Sequence, residues 1–170
     1  DETLGRKLRT LCDDYVYDGT PFDVAAMRAM RERQLRHLVT PGTVNAKYSQ
    51  GGLAELEYIV QGLQITHGAA DPSLRVTNTA EAIARLASAG VISAENCVRL
   101  NDALFFLHQL INALRMVRGN NRDLTVPAEE SEEFAYLARR LGYGNDPNRL
   151  GVAISEHMTW VQRLGTRLLG

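Results

Sequence analysis

Apolar residues recur along the chain at intervals of three and four, strict apolar–polar alternation is nearly absent, and Val, Ile and Thr do not gather into strand-length runs. The pattern predicts an all-α fold, and its helix-end signals place the elements. Pro21 and Phe22 open a helix that runs to about His37 and breaks at Thr40-Pro41-Gly42. Gly51 and Gly52 precede a second, from about Leu53 to His67, which Gly68 stops. Asn78 or Thr79 caps a third, with Glu81 placed for a capping box from Asn78 and Gly90 closing the helix. Ser93 starts a fourth that reaches Arg118 and ends at Gly119-Asn120-Asn121. The run from Pro127 to Phe134 sets proline and four glutamates in the first turns of a fifth, where the helix dipole favours negative charge, and Gly142 ends it. Asp146 and Pro147 begin a sixth that continues to about Leu168. With a further helix over Leu4–Cys12, the elements make a single bundle of six or seven helices, joined by connections short enough for antiparallel neighbours.

The helix behind the glycines carries the most structured pattern. At 100° per residue, Leu53, Leu56, Ile59, Val60 and Leu63 form one broad apolar stripe, and Ala54, Tyr58 and Ile65 form a second. Between them lie Glu57, Gln61 and Gln64 on one side and Glu55 with Gly62 on the other. A helix apolar on two sides packs on two sides, so one stripe is assigned to the bundle and the other to a domain outside this chain.

Length and composition narrow the possibilities. A chain of 170 residues with 45% hydrophobic residues fills one core, so residues 1–170 read as a single domain. A formal charge of -1 supplies no global field for nucleic acid or an anionic membrane, and neither is expected as a partner. The two cysteines, Cys12 and Cys97, belong to no closely spaced set, which fits a reducing, cytoplasmic setting. No apolar run approaches the 18 or so residues of a membrane span, and the N-terminus lacks a signal-peptide layout. The chain opens on Asp1 rather than Met, which we read as a domain excised from a longer polypeptide.

Candidate chemistry gathers at Lys47–Gln61. Two glycines ahead of a helix let backbone N–H groups approach a phosphate or carboxylate at the helix N-terminus, with Lys47 adding charge. The plainer reading is a tight turn at Gly51 and Gly52, a solvated Lys47, and glutamates that offset the dipole. Glu55 and Glu57 diverge by about 160° on a regular helix, so they cannot grip one metal ion together. Glu57 pairs in direction with Gln61, one turn on.

These residues carry a family resemblance. The stretch KYSQGGLAELEYIVQGLQ resembles the K-x-G-x-G-G-L/I-x-D-I-E-F/Y-x-x-Q signature of the glutamine synthetase adenylyltransferase family, in the helical domain that follows its nucleotidyltransferase domain. Upstream, YVYDGTPFDVAAMRAMRERQ is similar to the family's F-V-Y segment and M-R-x-R helix. Downstream, LRVTNTAEAIARLASAGVIS, FFLHQLINALRMVRG and LARRLGYG match further family stretches in order, so the similarity spans roughly Leu11 to Met158. Lys47, Gly51, Gly52, Glu57 and Gln61 keep the pattern; Glu55 stands where the family has Asp, and Ser49 where it has its first glycine. The family's G-S…D-x-D metal-binding pattern does not occur in the sequence.

The resemblance implies a helical wall, not catalytic alone, turned toward a catalytic domain that supplies the metal ligands. ATP and Mg are then expected for the full-length protein and none for this chain. The implied reaction is AMP transfer to a protein tyrosine. Implied partners are the adjacent nucleotidyltransferase domain, glutamine synthetase or another protein substrate, and a PII-type signalling protein. Lys47, Gly51, Gly52, Glu57, Gln61 and Arg115 are the candidate nucleotide-binding or interdomain-cleft residues, Arg115 because it matches the family's L-R. The alternative from another class is a non-catalytic all-α protein-interaction module.

Other positions weigh less. Asn101, His108, Asn112 and Arg115 share a polar strip on the long helix, opposite Leu100, Leu104, Leu107, Leu110, Ile111 and Leu114, and read as solvated face or partner strip. Arg28, Arg31, Arg33 and Arg36 scatter around their helix and read as solvated surface. Arg75 is a weaker candidate of the same kind as Arg115. Cys97 and His108 lie about 16 Å apart along their helix, too far to share a metal. Trp160 and Tyr143 read as ordinary core aromatics.

Overall fold

The computed structural model describes residues 1–119 and 122–169. Its elements are α1 (Glu2–Val16), α2 (Val24–Leu38), α3 (Leu53–Gly68), a short 3-10 turn (Pro72–Leu74), α4 (Thr79–Ser88), α5 (Ala94–Arg118), α6 (Glu132–Arg140) and α7 (Pro147–Leu168). The all-α expectation holds, and the period of the apolar residues explains the core. Leu53, Leu56, Ile59, Val60 and Leu63 of α3 are all buried, as are Leu100, Leu104, Leu107, Leu110, Ile111 and Leu114 of α5. Burying each such side chain fully stabilises the fold by roughly 1.5–3 kcal/mol before ordering costs. Packed against α4, α5 and α7, α3 occupies the centre of the bundle.

Helix ends follow side-chain chemistry and shift some boundaries. Asp1 accepts hydrogen bonds from Thr3 and Leu4 N–H, so α1 begins earlier than Leu4, and it runs on past Cys12 to Val16. Asp23, not Pro21, starts α2 by accepting from Ala26 N–H, which leaves Phe22 free to pack beside Gly62 of α3. Asn78 accepts from Glu81 N–H as expected, whereas the Glu81 carboxylate pairs with Arg85. Ser131 caps α6 through Phe134 N–H, so Pro127–Glu130 lie ahead of the helix and only Glu132 and Glu133 sit in its first turn. The cause is visible upstream: Val126 N–H donates to Val44 C=O, holding that segment extended. Of the predicted stop at 119–121, Gly119 adopts φ +64°, and Asn120 and Asn121 lie outside the described residues.

A short antiparallel pairing was not signalled by periodicity. Asn45 bridges Thr125, flanked by hydrogen bonds from Ala46 N–H to Leu124 C=O and from Val126 N–H to Val44 C=O, which tie the segment before α3 to the one before α6.

The second apolar strip of α3 is covered from within the chain, contrary to its assignment to an outside domain. Tyr58 hydroxyl lies between Gln34 Nε2 at 3.2 Å and Met30 Sδ at 3.9 Å on α2, and Phe22 and Tyr17 pack against Gly62 and Gly68. The helix is packed on two sides, but its second partner is its own sequence neighbour. The uncovered apolar stripe belongs to α1, where Leu4, Leu8, Leu11 and Tyr15 are each at least 60% exposed.

Candidate functional site

The corner where α2, the Lys47–Gly52 loop, α3 and α7 meet is built by backbone and buried polar groups. Asn45 Oδ1 accepts from the N–H groups of Lys47 and Tyr48, and Ser49 Oγ accepts from Asn45 N–H at 2.8 Å. Both residues are buried. Arg31 reaches in from α2, donating to the carbonyls of Tyr48 and Ser49 and pairing with Glu55 at 3.5 Å, its side chain only 11% exposed. Glu55 in turn accepts from Gly51 N–H at 2.8 Å. A buried, multiply bonded arginine of this kind fixes geometry, because removing one partner strands the others' charge and lone pairs.

The two glycines are explained by packing. Gly51 has φ +72°, and a Cβ there would stand 1.8 Å from the Met158 carbonyl oxygen of α7. A Cβ on Gly52 would lie 2.8 Å from the Lys47 carbonyl oxygen. From Gly51 to Leu56 each backbone N–H has an acceptor inside the chain: Glu55, Ser49, Ala46, Lys47, and Gly52 for the last two. The N-terminal donors of α3 are therefore already engaged.

The remaining candidates stand outside this bonded network. Lys47 is half-buried with its Nζ 5.2 Å from the Tyr48 ring centroid. Glu57 is half-buried and Gln61 exposed, and among the described residues neither side chain makes a hydrogen bond or ion pair. Gln64, on the same strip, is instead buried and donates to the carbonyls of Leu74 and Val76, pinning the 3-10 turn. Arg115 is exposed on α5 and donates to Asn112 on its own helix at 3.4 Å; no described contact joins it to the corner. An open groove of about 920 Å³ starts at Ser49 and Gln50, passes Met158 and Gln162 of α7, and is bounded by the Thr40–Val44 loop.

Several weaker candidates turn out to be internal fasteners. Arg75 donates to Gly68 C=O and stacks 4.9 Å over Tyr17, joining the end of α1 to the end of α3. Trp160 lies under the Arg99 guanidinium at 4.7 Å. Sequence reasoning missed Arg31, Asn45, Ser49 and Gln64. Asn45 and Ser49, four residues apart just before a glycine pair, were the available signal for a side-chain-braced turn.

Among the described residues no three His, Cys, Asp or Glu side chains converge as a metal site, and Glu55 is committed to Arg31 and Gly51. These residues do not fit a two-metal centre.

The fold and this corner define an all-α domain with an internally braced turn ahead of its central helix. A family model described as GlnD PII-uridylyltransferase matches residues 25–169, and the chain belongs to that family. The glutamine synthetase adenylyltransferase resemblance is shown as well. The chain is 31% identical over 96% of its length to the bifunctional glutamine synthetase adenylyltransferase/adenylyl-removing enzyme of Streptomyces avermitilis, of which it covers 16%. To the enzyme of the same name from Streptomyces coelicolor it is 33% identical over 98% of its length, covering 17% of that protein. The Mycobacterium avium enzyme is 36% identical over 68% of the chain. The chain thus spans about a sixth of the length of these two Streptomyces relatives. No helix among the described residues is long and apolar enough to cross a membrane.

Proposed function

We propose that this chain is the helical wall of an interdomain cleft in a glutamine synthetase adenylyltransferase-like protein, packing against a nucleotidyltransferase domain rather than catalysing alone. One observation carries the reading. The start of α3 is braced internally by Arg31, Glu55 and Asn45, while Glu57 and Gln61, on the side of the same helix away from Glu55, keep side-chain polar groups unused by the chain. A stiff backing with free side chains is what a face shared with a second domain requires, since preorganised groups lose little freedom on docking. The exposed stripe of α1 supports the same view, because an isolated helix of this length is marginal in water without a packed face.

On this reading the full protein transfers AMP from ATP, with Mg held by carboxylates outside this chain, to a tyrosine hydroxyl of glutamine synthetase or another protein substrate, and a paired domain reverses the modification by phosphorolysis. A PII-type signalling protein is a candidate effector. Lys47, Glu57 and Gln61 line the shared face, and Gly51 and Gly52 shape its edge. The setting is cytoplasmic.

The test is AMP labelling of glutamine synthetase with radiolabelled ATP. This chain alone gives no label, and the adenylyltransferase portion of the Streptomyces coelicolor relative, produced without its counterpart of this chain, labels faster when the chain is added. Labelling by the chain alone, or no response to its addition, overturns the assignment.

A further inference from the structure

A second surface, on α5 and α6, carries unsatisfied charge of one sign around apolar anchors. The ridge of α5 that points away from the core holds Phe105 and Met116, 66% and 64% exposed, eleven residues apart and so on one face. Beside Met116, α5 and α6 form an open groove of about 730 Å³ whose lining contains Tyr136, Arg139 and Arg140 and no carboxylate. Tyr136 is 51% exposed, Arg139 sits 5.9 Å over its ring, and Arg140 contacts Met116 Sδ. Arg115 adds a third guanidinium next to the groove through Asn112. Among the described residues none of these three arginines has a carboxylate within 4.0 Å, although the chain as a whole carries a net charge of -1.

The plain account of Arg139 and Arg140 is that cations in a last turn offset the dipole of α6. Arg115 stands in the last turn of α5 in the same way, so that account covers the three arginines but leaves the exposed Met116 and Tyr136 unexplained. Large apolar side chains exposed at the centre of an arginine-rimmed groove have the composition of a binding surface, in which aromatic, Met and Arg residues are enriched.

We propose that the α5–α6 groove is a docking site for an acidic amphipathic segment of a protein partner. An apolar side chain of that segment seats between Met116 and Tyr136, and its carboxylates meet Arg115, Arg139 and Arg140. Charge complementarity selects this occupant. The groove offers guanidinium groups in bidentate-capable form at its rim and no acid to repel the partner, so an acidic chain is attracted and a basic one rejected. The proposal does not rest on the cleft reading above, since it uses none of Lys47, Glu57 or Gln61.

The test uses the 170-residue chain and a fluorescein-labelled helical 16-mer with glutamates along one face and a Leu–Phe pair on the other, read by anisotropy. The acidic peptide binds, and its lysine counterpart does not. Arg139→Glu with Arg140→Glu weakens binding by roughly tenfold or more, and so does Tyr136→Ala, whereas Arg33→Glu on exposed α2 leaves it unchanged. Far-UV circular dichroism and the unfolding midpoint confirm that each variant is folded. Equal binding of both peptides, or indifference to Arg139 and Arg140, overturns the proposal. Inorganic pyrophosphate displacing the peptide at similar concentration makes this a small-anion site. Concentration-dependent dimerisation in sedimentation that Arg139→Glu with Arg140→Glu abolishes assigns the groove to a second copy of the chain. Either result also overturns it.

Discussion

Gly51 shows how one position commits the corner. Its φ of +72° is a conformation that side chains with a Cβ rarely adopt, and the atom a Cβ would meet is backbone, the Met158 carbonyl oxygen, which cannot rotate away. Gly51→Ala is therefore expected to lower unfolding free energy by more than about 3 kcal/mol, since α7 must shift as well as the turn. Gly42→Ala provides the contrast. Its φ is +79° but nothing lies within 4 Å, so only the conformational cost of about 1 kcal/mol remains. Urea unfolding of both variants at matched conditions checks the difference, and equal losses would place the cost in the backbone angle alone. The glycine pair was plain in the sequence, but the reason for Gly51 was not, because the atoms that exclude a Cβ there arrive from a helix more than a hundred residues away. Arg31 was hidden for the same kind of reason. Periodicity assigns a charged residue among scattered arginines to solvent, yet beside Glu55 and Gln34 its partners include the carbonyls of Tyr48 and Ser49, which carry no side-chain signal.

At the scale of elements, period and capping made α3, α4 and α5 legible almost to the residue, because each has a strong apolar stripe and a side-chain cap or glycine at an end. The second strip of α3 was also legible, but not its occupant, since a pattern records that a face is covered and not by what. Between α5 and α7, His157 stacks on Phe106 with ring centroids 4.4 Å apart. Burial pushes its imidazole below its ordinary value of 6.5, opposed by Asp102 and Glu156 and aided by Arg99. The unfolded chain then takes up the proton first as pH falls. The stabilisation is full above the unfolded value near 6.5 and is lost as pH drops through that value toward the lower folded one. The thermal midpoint is expected to fall between about pH 7 and pH 5.5, with His157→Gln flattening that part of the profile. A slope unchanged by this substitution would assign the pH dependence to other groups.

For the whole molecule, the braced start of α3 and the naked stripe of α1 support the proposal that this bundle packs against a neighbour through a surface including α1 and the Glu57–Gln61 side of α3. Because Leu4, Leu8, Leu11 and Tyr15 of α1 are exposed, its amides should open readily, whereas those of α3 and α5 are held by the core. The most direct measurement is hydrogen–deuterium exchange of this chain, alone and with the adenylyltransferase portion of the Streptomyces coelicolor relative. The account predicts fast exchange of α1 in the free chain, slowed by roughly tenfold or more in the mixture, and loss of that protection when Leu8→Glu and Glu57→Lys are introduced. No protection of α1, or protection confined to α5 and α6, would contradict it.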